Sequence, residues 1–195
     1  MAINFTQTDD AAPVDQCTLN SELAACSGRT VGLGTTTKSS GSNGGTAGSG
    51  TKSPILASSE TNTIAHVFGL AVAAGVSWDS GTWTVRMNVT TANMNLTWTE
   101  CHICRASSVC ANQATIGSAT GLTIALGTTG VKSTTVTGSA TTPAVGDIIT
   151  VIIVVTNGAM SSQSFTLTLN QNIDSPFTAA SATLTGTIVP TVTEA

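Results

Sequence analysis

From about residue 54 onward the chain alternates apolar and polar residues with a period of two. In the run GTWTVRMNVTT, Trp83, Val85, Met87 and Val89 alternate with Thr82, Thr84, Arg86 and Asn88. A polar turn leads into LTWTECHICR. There Leu96, Trp98, Glu100, His102 and Cys104 fall on one face, and Thr97, Thr99, Cys101, Ile103 and Arg105 on the other. Strict alternation with aromatic and β-branched residues predicts half-buried strands, here two strands of one hairpin.

Ile55, Leu56, Ile64, Val67, Phe68 and Leu70 supply earlier strands, and further short runs follow the pair. They span Ala114 to Ile116, Leu122 to Leu126, Val131 to Thr137, Ile148 to Thr156, Ser164 to Leu169 and Thr183 to Val189. Glycines at 117, 121, 127, 130, 138 and 146, and Asn157-Gly158, punctuate them. Short strands separated by regular turn signals predict an all-β antiparallel sandwich or barrel. Ile148 to Val155 is apolar on both faces except at Thr150, which predicts a central strand covered on both sides; Ile152 and Val154, with Phe165 and Leu167, are expected to pack against Trp83, Val85, Met87 and Val89. Phe165, Leu167 and Leu169 point inward between Ser164, Thr166 and Thr168. Asp174-Ser175-Pro176-Phe177 reads as a loop, because proline cannot continue a ladder.

Residues 1–53 lack this period. They include GLGTTTKSSGSNGGTAGSGTKS, a Gly/Ser/Thr tract that makes extended or flexible chain. One short helical turn, capped by Asn20 or Ser21 and stopped by Gly28, is expected before it. The sequence therefore divides into an extended N-terminal arm, 1–53, and a β-sandwich domain, 54–195. Phe5, Val14, Leu19, Leu23, Val31 and Leu33 are spaced along the arm as separate anchors, the pattern of a chain that orders on a partner.

Composition narrows the function classes. Only 8% of residues are charged, there is no Tyr, and net charge is −4. Threonine makes up about one residue in five, and its β-branched, polar side chain suits the wetter face of a strand. The six basic residues are scattered, which argues against a nucleic-acid surface. The apolar run Ile148 to Val155 is too short to span a bilayer, so no membrane partner is expected. MAINFTQTDD carries no secretory pattern, so cytoplasmic synthesis is expected. A weakly charged surface favours association, and a homo-oligomer or larger assembly is the expected state.

Chemistry is sparse. Cys101-x2-Cys104 with Cys110 and His102 has the local spacing of a zinc site, but structural zinc needs a second ligand pair placed on turns. On a strand, Cys101 and Cys104 point to opposite faces, so no metal and no cofactor are expected. Disulfides Cys17–Cys26 and Cys104–Cys110 are the alternative to buried thiols. Asp79, Asp147 and Asp174 stand where turns begin. Glu100 and His102 are near enough on one face to hydrogen-bond, yet no nucleophile motif accompanies them, so no catalytic residue is assigned. Trp78, Trp83 and Trp98 suit either a core or a sugar-stacking platform, and Arg86 and Arg105 can cap rings by cation–π contact. The sequons at Asn4, Asn88 and Asn95 are expected by chance in so Thr-rich a chain.

WDSGTWTVRMNVTTANMNLTWTECHICR, followed by Ile116-Gly117, Thr128-Thr129-Gly130-Val131 and Gly146-Asp147-Ile148, resembles structural proteins of tailed bacteriophages. The shared features are a W-x-SGTWTVR-x-NVT hairpin, a GTTGVK turn and a GD entry to an apolar strand, over roughly residues 76–170. The resemblance implies a sandwich of jelly-roll type and a virion location. It also implies a role in decorating capsids or building tails and fibres, and it carries no catalytic residues. The expected function is a capsid decoration or cement protein bound to major capsid protein or other virion subunits. A tail or fibre component and a carbohydrate-binding module are the alternatives.

Overall fold

The computed structural model describes the backbone of residues 2–8, 16–18, 30–32, 35–40, 51–52, 55–59, 63–71, 80–107, 114–141, 147–168 and 172–178. Side chains are described at 56–59, 80–105, 107, 114–141, 147 and 150–167. The described elements are all strands: β1 (Ala2–Thr8), β2 (Gln16–Thr18), β3 (Thr30–Gly32), β4 (Thr35–Ser40), β5 (Thr51–Lys52), β6 (Ile55–Leu56), β7 (Thr63–Ala71) and β8 (Gly81–Thr91). They continue with β9 (Leu96–Ala106), β10 (Ala114–Ala119), β11 (Ile124–Ala125), β12 (Gly130–Gly138), β13 (Ile148–Asn157), β14 (Gln163–Ser164), β15 (Thr166–Thr168) and β16 (Asn172–Thr178).

One sheet runs β4-β1-β16-β8-β15-β5, with β12 also paired to β8; the other runs β10-β9-β13-β7, with β11 also paired to β9. Every pairing is antiparallel among the described strands. β7 pairs with β13, β8 with β12, and β9 with β10 and β11. Strands taken in forward order thus meet strands taken in reverse order. The rungs of this long hairpin fall in one sheet, then the other, then the first again. That winding is a jelly roll, and the all-β sandwich expected from the sequence is present.

The expected hairpin is not. β8 and β9 belong to different sheets, so the turn between them carries the chain across the sandwich. Each then faces one shared core from opposite sides, which alternation alone does not distinguish from pairing. The β8 prediction holds at the side-chain level: Trp83, Val85, Met87 and Val89 are all buried. Phe165 and Leu167 join them, opposite Leu96, Trp98, Cys101 and Ile103 from the second sheet.

Two register readings are corrected. In β9 the partners skip from Trp98 to Glu100 opposite Val155 and Val154, leaving Thr99 as the extra residue of a bulge. The bulge moves the inward set from Leu96 and Trp98 to Cys101 and Ile103, so Glu100, His102 and Cys104 lie on the face away from Trp98. Trp98 Nε1 donates to the Glu100 carbonyl at 2.7 Å, and Leu122 N–H donates to the Thr99 carbonyl at 2.9 Å, which fixes the kink. In β13 the core contributors are Val151, Ile153 and Val155, while Ile152 and Val154 are buried outside that core. β13 lies between β9 and β7, as its apolar run on both faces required.

Pro176 is a third correction, because the stretch read as a loop lies inside β16. The β1–β16 register jumps from Ala2↔Thr178 to Asn4↔Asp174, so the proline sits in an irregular stretch where no ladder donor is needed.

The sandwich is closed along one side where β10 meets β12. Ser139 N–H donates to the Ile116 carbonyl at 2.9 Å. Two glycines permit the approach: a Cβ at Gly117 would stand 2.3 Å from the Thr137 carbonyl oxygen, and one at Gly138 would stand 2.7 Å from Trp83 Nε1.

Candidate functional site

The bulge at Thr99 sets the most polar group of side chains on the outer face of β9. His102 Nε2 and Glu100 Oε2 are 2.8 Å apart, the neighbours expected from the sequence. Their side chains are only 9% and 17% exposed. Cys104 follows on the same face, fully buried, in register with Thr150 of β13. The Thr150 hydroxyl is buried with no hydrogen-bond partner among the described residues. A carboxylate bonded to one ring nitrogen fixes the imidazole tautomer. Among the described residues, no three His, Cys, Asp or Glu side chains converge on a common point.

Cys101 and Cys104 lie on opposite faces of β9, Cys101 within the core and Cys104 outside it. Strand geometry therefore keeps them from acting as a pair, as expected. Burial, and then the nearby Cys104, push the Cys101 thiol far above its ordinary range. Such a thiol is inert as a nucleophile. Of the disulfide candidates, Cys26 and Cys110 lie outside the described residues, and Cys17 is described by its backbone in β2 alone.

Arg105 finds a charge partner in Asp147: Nε and Oδ2 are 2.8 Å apart, with the side chains 34% and 5% exposed. The pair clasps the end of β9 to the residue before β13. Asp147 looked like a turn residue in the sequence, and only the pairing of β9 with β13 brings Arg105 to it. Arg86 stands on the outer face of β8, half-buried and in register with Ser133. Trp83 and Trp98 are 1% and 0% exposed, so neither serves as a stacking platform; Trp78 lies outside the described residues. Of the arm anchors, Phe5 and Val31 fall on the backbones of β1 and β3; Val14, Leu19, Leu23 and Leu33 lie outside the described residues, as does the expected helical turn.

One end of the sandwich was not singled out by sequence reasoning. It gathers residues 57–59, 91–95, 126–130 and 157–163. Asn93 donates from Nδ2 to Gln163 Oε1 at 2.7 Å and to the Ser164 carbonyl at 3.0 Å. Gly158 N–H donates to the Asn95 carbonyl and Asn93 N–H to the Leu126 carbonyl. Asn157 donates to the carbonyls of Ala57 and Ser161 at 2.7 and 3.0 Å and accepts from Ala159 N–H at 2.9 Å. The asparagines serve as cross-braces between loops, a role that their frequency in turns conceals. Met94 and Met160 project from this end, 85% and 87% exposed.

No protein-family model matches the chain, and no curated protein matches it. Among solved structures the chain is similar to the infectious bursal disease virus Gt strain structure, at 10% identity and a TM-score of 0.41, covering 98% of this chain and 59% of that one. It is similar to the VP2 subviral particle of that virus at 9% identity and a TM-score of 0.39, covering 98% and 56%. The Gx strain structure gives 11% identity and a TM-score of 0.34, covering 98% and 54%. The chain spans little more than half the length of these chains.

Proposed function

We propose that the protein is a structural component of a virus particle, a decoration or cement protein that binds neighbouring capsid subunits and stabilises the shell. The observation that supports this best is the use made of its few charges. Glu100 is engaged by His102, and Asp147 by Arg105, inside the second sheet. The outer positions of β12 are left to Val131, Ser133, Thr135 and Thr137, all exposed. A surface of hydroxyls and amides with little net charge favours lasting contact with other subunits over a charged encounter. The resemblance of residues 76–170 to tailed-phage structural proteins points the same way.

In this reading residues 1–53 fasten the sandwich, residues 54–195, to major capsid protein, to other virion subunits or to further copies. The arm's β1 and β4 join the larger sheet through β16, which pairs with β8 at Asp174↔Thr84, and its β5 pairs with β15 of the same sheet. Deleting residues 1–50 tests the reading. The truncated chain is expected to fold and to lose binding to purified particles. Undiminished particle binding would remove the arm's role, and recovery of the full chain with isolated tails rather than capsids would favour a tail component.

A further inference from the structure

The outer faces of the two sheets are treated differently. On the first sheet Thr82, Thr135 and Thr137 stand exposed. On the second, the outward residues of β9 and β13 are buried. Cys104, Thr150, Ile152 and Val154 have no exposed surface, and His102 keeps 7%. Cys104, Ile152 and Val154 lie outside the core between the sheets. They are buried within a single chain, so what covers them is the chain itself. Among the described strands, β2 and β3 are left to supply that cover. The others lie in the two sheets or, as β6 and β14, at the loop end beside Asn157. β2 and β3 pair with each other alone, through Gln16↔Gly32, Cys17↔Val31 and Thr18↔Thr30. An isolated two-stranded pair is marginally stable in water, so this one needs a surface to pack on.

We propose that the outer face of the second sheet is a docking surface for residues 9–34 of the same chain, the stretch between β1 and β4 that carries β2 and β3. Position supports the choice. Thr8 and Thr35 are register partners, so the stretch leaves and returns at one place. β4, where it returns, brings Cα atoms within 8 Å of β7, the strand beside β13. From β7 to β9 is two strand spacings, about 10 Å. Residues 9–15 alone can span about twice that. Composition supports it as well. Val14, Leu19, Leu23, Val31 and Leu33 supply apolar side chains to set against Cys104, Ile152 and Val154. Residues 179–195 also carry apolar side chains, but they leave from a less suitable place. Thr178 is the partner of Ala2, at the opposite end of β1 from Thr8, and β16 lies two strands in from β4.

The proposal is independent of particle binding, and its test reads the free protein. Replacing residues 9–34 by Asn-Gly joins Thr8 to Thr35 through a two-residue turn and keeps β1 and β4. Maleimide labelling of each cysteine, mapped by mass spectrometry, follows the face, and tryptophan emission follows the fold. In the full chain Cys104 should be protected. In the shortened chain it should react at least about a hundredfold faster, while Cys101, inside the core, stays protected. Ready labelling of Cys104 in the full chain would overturn the proposal. So would a folded shortened chain in which Cys104 stays protected, which would assign the cover to another segment, residues 179–195 first. Should the shortened chain fail to fold, the full chain carrying Leu19→Ser and Leu23→Ser decides. Labelling of Cys104 at least about tenfold faster than in wild type supports the seat, and an unchanged rate removes it.

Discussion

Asn157 Nδ2 stands 2.7 Å from the carbonyl oxygen of Ala57, across a hundred residues of sequence. The side chain is 1% exposed and also donates to the Ser161 carbonyl while accepting from Ala159 N–H. An amide is required here, because a carboxylate would aim an oxygen at carbonyl oxygens. Asn157→Asp should therefore cost more than Asn157→Ala. We expect about 3 kcal/mol or more for the former and about 2 kcal/mol for the latter, from burial of a repelled charge against loss of the bonds alone. Urea unfolding of the two variants measures the difference, and equal midpoints would mean that water reaches the site.

Gly117 and Gly121 separate two reasons for keeping a glycine. Gly121 has a φ of +66° with no atom near its absent Cβ, so Gly121→Ala carries only the left-handed penalty, about 1–2 kcal/mol. Gly117 is tight: a Cβ there would meet the Thr137 carbonyl oxygen at 2.3 Å, and that oxygen belongs to backbone. Gly117→Ala must push β10 from β12 and break the closure at Ser139 and Ile116. It should cost more than Gly121→Ala and lower the unfolding temperature further.

These glycines show where the sequence was legible. Alternation located β8 and the Phe165–Leu167 stretch with the correct inward residues, because each has one wet face; in β12 Val131 is exposed while Thr134 and Val136 are buried, so its apolar residues do not mark the inward face. In Ile148 to Val155 both faces are apolar, so period two carries no phase, and Ile152 and Val154 were paired with the wrong layer. In β9 a single extra residue, Thr99, inverts the faces downstream, and nothing in LTWTECHICR marks it. The Glu100–His102 contact was legible all the same, because residues two apart on a strand share a face whichever way it points. The Arg105–Asp147 pair and the Asn157 brace depend on strand pairings made over long sequence separations, which no local pattern contains.

Arg105 and Asp147 differ in how far they depend on one another. The carboxylate side is 5% exposed and the guanidinium side 34%, so water reaches Arg105 more readily than Asp147. Removing the arginine leaves a buried anion with one partner fewer, whereas removing the anion leaves a cation that can turn to solvent. Arg105→Met should thus destabilise more than Asp147→Asn, by about 3 kcal/mol against 1–2 kcal/mol. Chemical denaturation at neutral pH checks the order, and the reverse order would mean that other contacts of Asp147 carry its charge.

Cys101 should make stability fall at alkaline pH. Its thiol is buried in the core, and desolvation, with the Cys104 charge second, holds it protonated well above its ordinary value of 9.0. In the unfolded chain the same thiol releases its proton near that ordinary value. Above it the unfolded state binds fewer protons than the folded state, so the slope of stability against pH is negative. Below pH 9.0 the two states are equally protonated at this group and it contributes no slope. Wild type should therefore lose about 1.4 kcal/mol per pH unit relative to Cys101→Ala once the pH passes that value. The chain has no Tyr, so no phenol titrates in the same range to obscure the comparison. Taking the difference between the two proteins cancels the lysines, which both retain. Urea unfolding at intervals from neutral to strongly alkaline pH supplies the measurement, and parallel curves for the two proteins would show that Cys101 ionises in the folded state as easily as in the unfolded one.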